Sequence, residues 1–180
     1  MAKIKADLLV RHAAELVTVA GNSVRPKRGA GLNEIGVIPD GAVAAREGVI
    51  VAVGPTARVE EEVEPADDAV WCDASGCVVL PGLVDPHTHL LFAGSREHEL
   101  EMRIAGVGYL EILARGGGIL DTVRAVRAAG RETLVETGKK HLDQMLAQGT
   151  TTAEVKSGYG LTTADEVKML EAVRELDRNH

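Results

Sequence analysis

Apolar positions follow two rhythms along this chain. Up to about residue 82 they come in short runs broken by glycine, proline and acidic residues, the pattern of strands and turns. "ADLLVRHAAELVTVA" predicts one or two strands, with Asp7 and Arg11 flanking apolar Leu8 to Val10. "GAVAAREGVIVAVG", Gly41 to Gly54, predicts two short strands around Glu47-Gly48, where glycine can take positive φ in a tight turn. Gly54-Pro55 should end the second of them. "VEEEVEPADD", Val59 to Asp68, reads as an acidic surface connection. "AVWCDASGCVVLPG" adds a strand, a turn at Asp73 to Gly76 and a short apolar strand running into Pro81-Gly82. These elements predict a small antiparallel β region.

Beyond Gly82 the rhythm changes. "LVDPHTHL" is a short strand leading into a loop, and helices are expected at Glu97 to Ile104, Tyr109 to Ala114 and about Leu120 to Ala128. Arg131 to Gln148 is a clearer helix, with Leu134, Val135, Gly138, His141, Leu142, Met145 and Leu146 on one face at 3.6-residue spacing. "GTTTAEVKSGYG" reads as a β-branched strand followed by a glycine-bearing loop. Thr163 with Glu166 can form a capping box for a last helix, with Val167, Leu170 and Val173 turned inward. Strand, loop, helices, strand, loop, helix is the order of parallel β/α architecture, whose ligands gather at the C-terminal strand ends.

That rule draws attention to His87 and His89, which follow the first of these strands, and to Lys156, Ser157 and Tyr159, which follow the second. On an extended segment, the two-residue period puts both imidazoles and Asp85 on one face, with Thr88 on the other. Zinc or iron accepts such a nitrogen pair, but a catalytic zinc normally takes three protein ligands. His98 is either a further ligand or a surface residue. His141 is most simply a packed, hydrogen-bonded histidine, and His12 and His180 carry no motif. Arg96 suits either a bidentate carboxylate clamp or an ordinary surface position. Tyr159, between Gly158 and Gly160, either faces a cleft or packs on a helix, and Tyr109 supports a helix near the same loop. Lys156 has no single role. The glycines Gly116 to Gly118 lack the context of a phosphate loop and suit a loop that shapes a pocket.

Composition narrows the classes. The 180 residues are 45% apolar and 26% charged, which is globular, but only 2% aromatic, so Val, Leu, Ile and Ala must build the core. A net charge of -7, with one short basic cluster at Arg25 to Gly29, argues against nucleic-acid binding. The opening "MAKIKADLLVRH" lacks a secretory apolar segment, and no stretch has membrane-spanning length. Cys72 and Cys77 read as free thiols, so a cytoplasmic location is expected.

Three stretches taken together, "PGLVDPHTHLLFAGSR", "GYLEILARGGGIL" and "GTTTAEVKSGYGLT", resemble the imidazolonepropionase family of the amidohydrolase superfamily. The Asp-Pro-His-Thr-His segment marks the superfamily, and Phe-Ala-Gly-Ser-Arg with Thr-Ala-Glu-Val-Lys-Ser-Gly-Tyr-Gly narrows it. The resemblance implies an α/β plus β fold: the start of a TIM-like (β/α)8 barrel attached to a small composite β-sandwich domain. Residues 1–77 would be the N-terminal part of the small domain, and 78–180 the first βα units of the barrel. It further implies metal-dependent hydrolysis of the ring amide of 4-imidazolone-5-propanoate to N-formimidoyl-L-glutamate in histidine breakdown. His87 and His89 match the metal pair, with Zn2+ or Fe3+ as the metal. Arg96, Tyr159 and Tyr109 match substrate-binding residues. Members are much longer, since a complete barrel alone takes about 250 residues. Their later metal ligands and acidic base have no counterpart here, so the general base is expected beyond residue 180. An isolated chain is therefore expected to be inactive, associating with itself or with the missing C-terminal portion. The alternatives are another cyclic-amide hydrolase or deaminase of the superfamily, or a non-catalytic interaction module.

Overall fold

A computed structural model describes residues 3–21 and 25–180, so the first two residues of the opening lie outside it. The chain divides into two compact units, Met1–Pro81 and Gly82–His180.

In the first unit, β1 (Ile4–Val17) pairs antiparallel with β2 (Val37–Arg46), which pairs antiparallel with β3 (Val49–Pro55). Glu47 and Gly48 join the last two strands with φ of 51° and 77°, the positive pair that matches strand twist in a two-residue hairpin. The Glu47 backbone N–H donates to Asp7 Oδ2 at 2.6 Å, which ties the turn to β1.

The acidic stretch departs from expectation. Thr56–Glu62 is a helix, α1, and Val63–Asp73 is a strand, β4, that runs parallel to β1. The two-residue β5 (Val78–Val79) is also parallel to β1, so the sheet is mixed rather than antiparallel. A parallel return requires a crossover, and α1 supplies it. Its apolar stripe was hidden among glutamates: Thr56 and Val59 are buried three residues apart, and Val63 follows four later. Val59 sits in a cluster with Ala6, Leu9, Ala42, Ala44, Ala52 and Val63. The alanines let the helix lie close to the sheet, while Glu60 turns outward to meet Arg11 at 2.8 Å. The pairing of Val78 and Val79 with β1 also carries the first unit past residue 77, to Pro81.

In the second unit, β6 (Leu83–Thr88) and β7 (Thr150–Val155) form a parallel pair. Between them lie α2 (Glu97–Ile104), α3 (Tyr109–Ala114), α4 (Ile119–Ala128) and α5 (Arg131–Ala147), and α6 (Thr163–Asn179) follows. Leu90, Leu91, Val126, Leu134, Val135, Met169, Ala172 and Leu176 make the core. Gly138 lets α5 approach closely, because a Cβ there would lie 2.5 Å from Leu176 Cδ1 and 2.6 Å from Leu91 Cδ2. From α6, Lys168 Nζ donates to the carbonyls of Val126, Arg127 and Ala129 at 2.9, 3.2 and 3.1 Å, closing the C-terminal end of α4.

Two expectations for α6 are corrected. Its cap is Thr162, whose Oγ1 accepts from the Asp165 N–H at 3.2 Å, one residue before the expected Thr163. Its buried face is Met169, Ala172 and Leu176, with Val173 packed beside them, while Val167 and Leu170 are 46% and 49% exposed. Both apolar faces fit a helical period, and the packing of α5 against α6 selects the second. No helix among the described residues is long and apolar enough to cross a membrane.

Candidate active site

The ends of β6 and β7 lie at one level, because the Lys156 N–H donates to the Thr88 carbonyl at 2.9 Å. Thr88 turns its hydroxyl towards β7 and donates to the Glu154 carbonyl at 2.7 Å. His87 and His89, on either side of it, have ring centroids 5.8 Å apart at 67°. Asp85 Oδ1 accepts from the His87 N–H at 3.2 Å and stiffens this end of the strand.

The six histidines separate clearly. His12 meets Asp40 at 3.3 Å, His98 meets Asp121 at 3.7 Å, and His180 meets Asp143 at 3.0 Å. His141 Nδ1 lies 2.9 Å from the Leu90 carbonyl, and its ring stacks on Phe92 at 4.8 Å. That histidine is a packed support for the segment after His89, as its place on α5 suggested. Of the six histidines, all among the described residues, only His87 and His89 have rings without a hydrogen bond or ion pair.

Across the strand pair, the Tyr159 ring lies 5.4 Å from that of His89. Gly158 permits the approach: its φ is 143°, and a Cβ there would come within 2.9 Å of His89 Cε1. Glu166, from α6, holds the loop, with Oε1 accepting from the N–H groups of Gly160 at 2.9 Å and Leu161 at 2.7 Å. The Ser157 side chain, then the N–H groups of Leu161, Gly160 and Gly158, hold its carboxyl below the usual range against the opposing effect of burial. Its other oxygen, Oε2, is buried without a hydrogen-bond partner among the described residues. Arg127 Nε anchors the loop from the other side, donating to the Gly160 carbonyl at 2.7 Å.

Arg96 and Tyr159 line one cleft of about 230 Å³ with Phe92, Gly94, Ser95 and Thr122. Arg96 is already held along one edge: Nε donates to Glu99 Oε1 at 3.0 Å and Nη2 to Glu99 Oε2 at 2.7 Å. Glu99 is buried, and its Oε1 also accepts from the Gly118 N–H at 2.6 Å. The Arg96 hydrogen bond foremost, helped by Gly118, lowers its carboxyl to about 2 although burial opposes this. The same pairing raises Arg96. The triple glycine thus serves an internal carboxylate. A Cβ at Gly117 would meet Ile112 Cγ2 at 2.7 Å and Glu99 Oε1 at 3.0 Å.

Tyr109 does not join the lining of that cleft. It sits on α3, 51% exposed, with the Arg103 guanidinium 6.0 Å from its ring centroid. Lys156 pairs with Glu154 at 3.8 Å. His98, Glu99 and Asp121 offer ligand atoms within 4.8 Å of one another. Both Glu99 oxygens are occupied, and Asp121 meets Arg124 at 2.9 Å, so guanidinium charge opposes a cation there. Glu99 had a sequence signal, a carboxylate three residues after Arg96 at a helix start, but neither residue alone announces the pair.

No family model matches the chain. It is 56% identical over 174 residues to the imidazolonepropionase of Symbiobacterium thermophilum, covering 97% of this chain and 40% of that protein. It is 48% identical to the imidazolonepropionase of Alkaliphilus metalliredigens, covering 97% and 41%. The chain therefore spans about two fifths of the length of the curated relatives it matches. Among solved structures, an adenosine deaminase from Xanthomonas campestris with bound zinc matches at a TM-score of 0.62 and 23% identity, over 97% of this chain and 33% of that one. Guanine deaminase of E. coli matches at 0.62 and 20%, over 93% and 33%. These likenesses are of fold. Over nearly its whole length the chain is similar to the imidazolonepropionases, on a fold shared with these two deaminases.

Proposed function

We propose that the full-length protein containing this chain is a metal-dependent hydrolase that opens the ring amide of 4-imidazolone-5-propanoate, giving N-formimidoyl-L-glutamate. One observation carries most of this reading. The two histidines without internal partners stand together at a strand end, and the ring of Tyr159 faces one of them. The 56% identity to an imidazolonepropionase supports the choice of substrate.

His87 and His89 would hold one transition-metal ion, Zn2+ or Fe3+. The donor chemistry fits: two adjacent imidazoles with unengaged nitrogens, backed by a glycine that leaves the His89 ring its space. When bound, such an ion supplies Lewis-acid chemistry and water activation. Arg96 pairs with the propionate carboxylate and Tyr159 orients the ring through its hydroxyl, while Tyr109 keeps a substrate-binding role only by its match to the family. Among the described residues, no carboxylate lines the cleft with Arg96 and Tyr159.

In this reading the first unit is part of a small β domain, and Gly82–His180 begins the hydrolase barrel. The reaction belongs in the cytoplasm, where the free thiols of Cys72 and Cys77 stay reduced. Incubating the full-length protein with 4-imidazolone-5-propanoate should give a product heavier by one water in mass spectrometry. Purine deamination with no imidazolone turnover would replace this assignment by a deaminase.

A further inference from the structure

We propose that Glu99 is a positioning residue that presents one defined edge of Arg96 to an anionic substrate. This rests on the reading that Arg96 meets the substrate carboxylate. A guanidinium has two edges able to bind a carboxylate in bidentate fashion, Nε with Nη2 and Nη1 with Nη2. Glu99 takes the first, at 3.0 and 2.7 Å, and so leaves the second for a ligand. The Arg96 side chain remains 41% exposed, whereas that of Glu99 is 6% exposed and has no place in the cleft lining. Glu99 therefore acts through Arg96 rather than on the substrate.

The carboxylate is itself held from behind. Gly118, with φ 70°, aims its N–H at Oε1 from 2.6 Å, and Gly117 leaves no room for a side chain between Ile112 and the carboxylate. The chain thus runs from a glycine loop through a buried carboxylate to an arginine that would otherwise rotate freely. A preorganised guanidinium loses less rotamer entropy when it binds. Glu99 also offsets the charge of Arg96, so affinity depends on the second edge being correctly aimed more than on bulk attraction.

Glu99→Gln tests this in the full-length protein. Glutamine keeps the length and can still accept from Gly118, but it turns an NH2 towards Arg96 Nη2, donor against donor. The KM for the imidazolone substrate should rise about ten-fold or more, with kcat and metal content nearly unchanged. Adding Glu99→Gln to Arg96→Ala should raise KM no further, since nothing remains to be positioned. An unchanged KM in Glu99→Gln beside a raised KM in Arg96→Ala would overturn the proposal. A parallel loss of kcat and metal would also overturn it, as the mark of a structural role. An NMR titration with propionate makes the same comparison without turnover and so stays informative if the substrate assignment fails. Weaker binding in Glu99→Gln, abolished in Arg96→Ala, supports the clamp. Equal binding in wild type and Glu99→Gln, or none in wild type, overturns it.

Discussion

The rings of His89 and Tyr159 lie 5.4 Å apart because the strands before them, β6 and β7, are parallel neighbours ending at the same level. Gly158 makes room for the contact. Gly158→Ala forces a side chain to φ 143° and to within 2.9 Å of His89 Cε1, so the loop or the imidazole must move. The strain should cost about 1–3 kcal/mol of stability. In the full-length protein, zinc affinity should fall by about ten-fold or more as the ring turns. Calorimetric zinc titration alongside thermal melts would measure both, and wild-type affinity in the variant would separate the glycine from the metal pair.

Metal removal should stop the full-length enzyme. Dialysis against a chelator is expected to abolish imidazolone hydrolysis, and added zinc or iron should restore it. His87→Ala should lower metal content and activity together, whereas His141→Asn should disturb stability far more than metal content. Full activity after verified metal loss would rule the histidine pair out as a metal site.

Glu99 gives stability a defined pH window. Its carboxyl sits at about 2 in the folded chain against an ordinary 4.5, a depressed value. Such a group contributes fully above its unfolded value and loses the contribution as pH falls towards the folded one. The Tm difference between wild type and Glu99→Gln should therefore hold from neutrality down to about pH 4.5, then shrink towards pH 2. A difference that stays constant across that interval would mean the Arg96 pairing contributes nothing.

Burial on α6 can be read from two adjacent residues. Met169 is fully buried, whereas Leu170 is 49% exposed. Met169→Ala should cost about 2–5 kcal/mol, and Leu170→Ala should stay within about 0.5 kcal/mol. Urea unfolding of the two variants would reveal whether the helix presents the face described.

Much of the second unit was legible in the sequence. Glycines and polar breaks marked α2 and α3 to the residue, and the periodicity of α5 showed most of its packed face, although Leu146 at its C-terminal end is 53% exposed. The meeting of His89 with Tyr159 followed from treating two strand ends as neighbours. The first unit hid its topology, because the three-residue spacing of Thr56 and Val59 ran straight into the glutamates Glu60 to Glu62. Long-range pairing such as β1 with β4 leaves no local pattern. On α6, two apolar faces competed, and only the position of α5 could decide between them. Glu99 escaped because a charged residue on a short helix ordinarily faces water, and its burial depends on a loop that arrives nineteen residues later.

Lys168 gives the site a remote dependency. Its one ammonium closes three carbonyls at the end of α4, the helix whose Arg127 fastens the loop of Tyr159. The same helix, α6, sends Glu166 to that loop from the opposite side. The tyrosine therefore inherits its place from a bracket of two helices locked by a residue outside the cleft lining. Altered substrate handling can arise at Lys168 with every residue around the cleft intact.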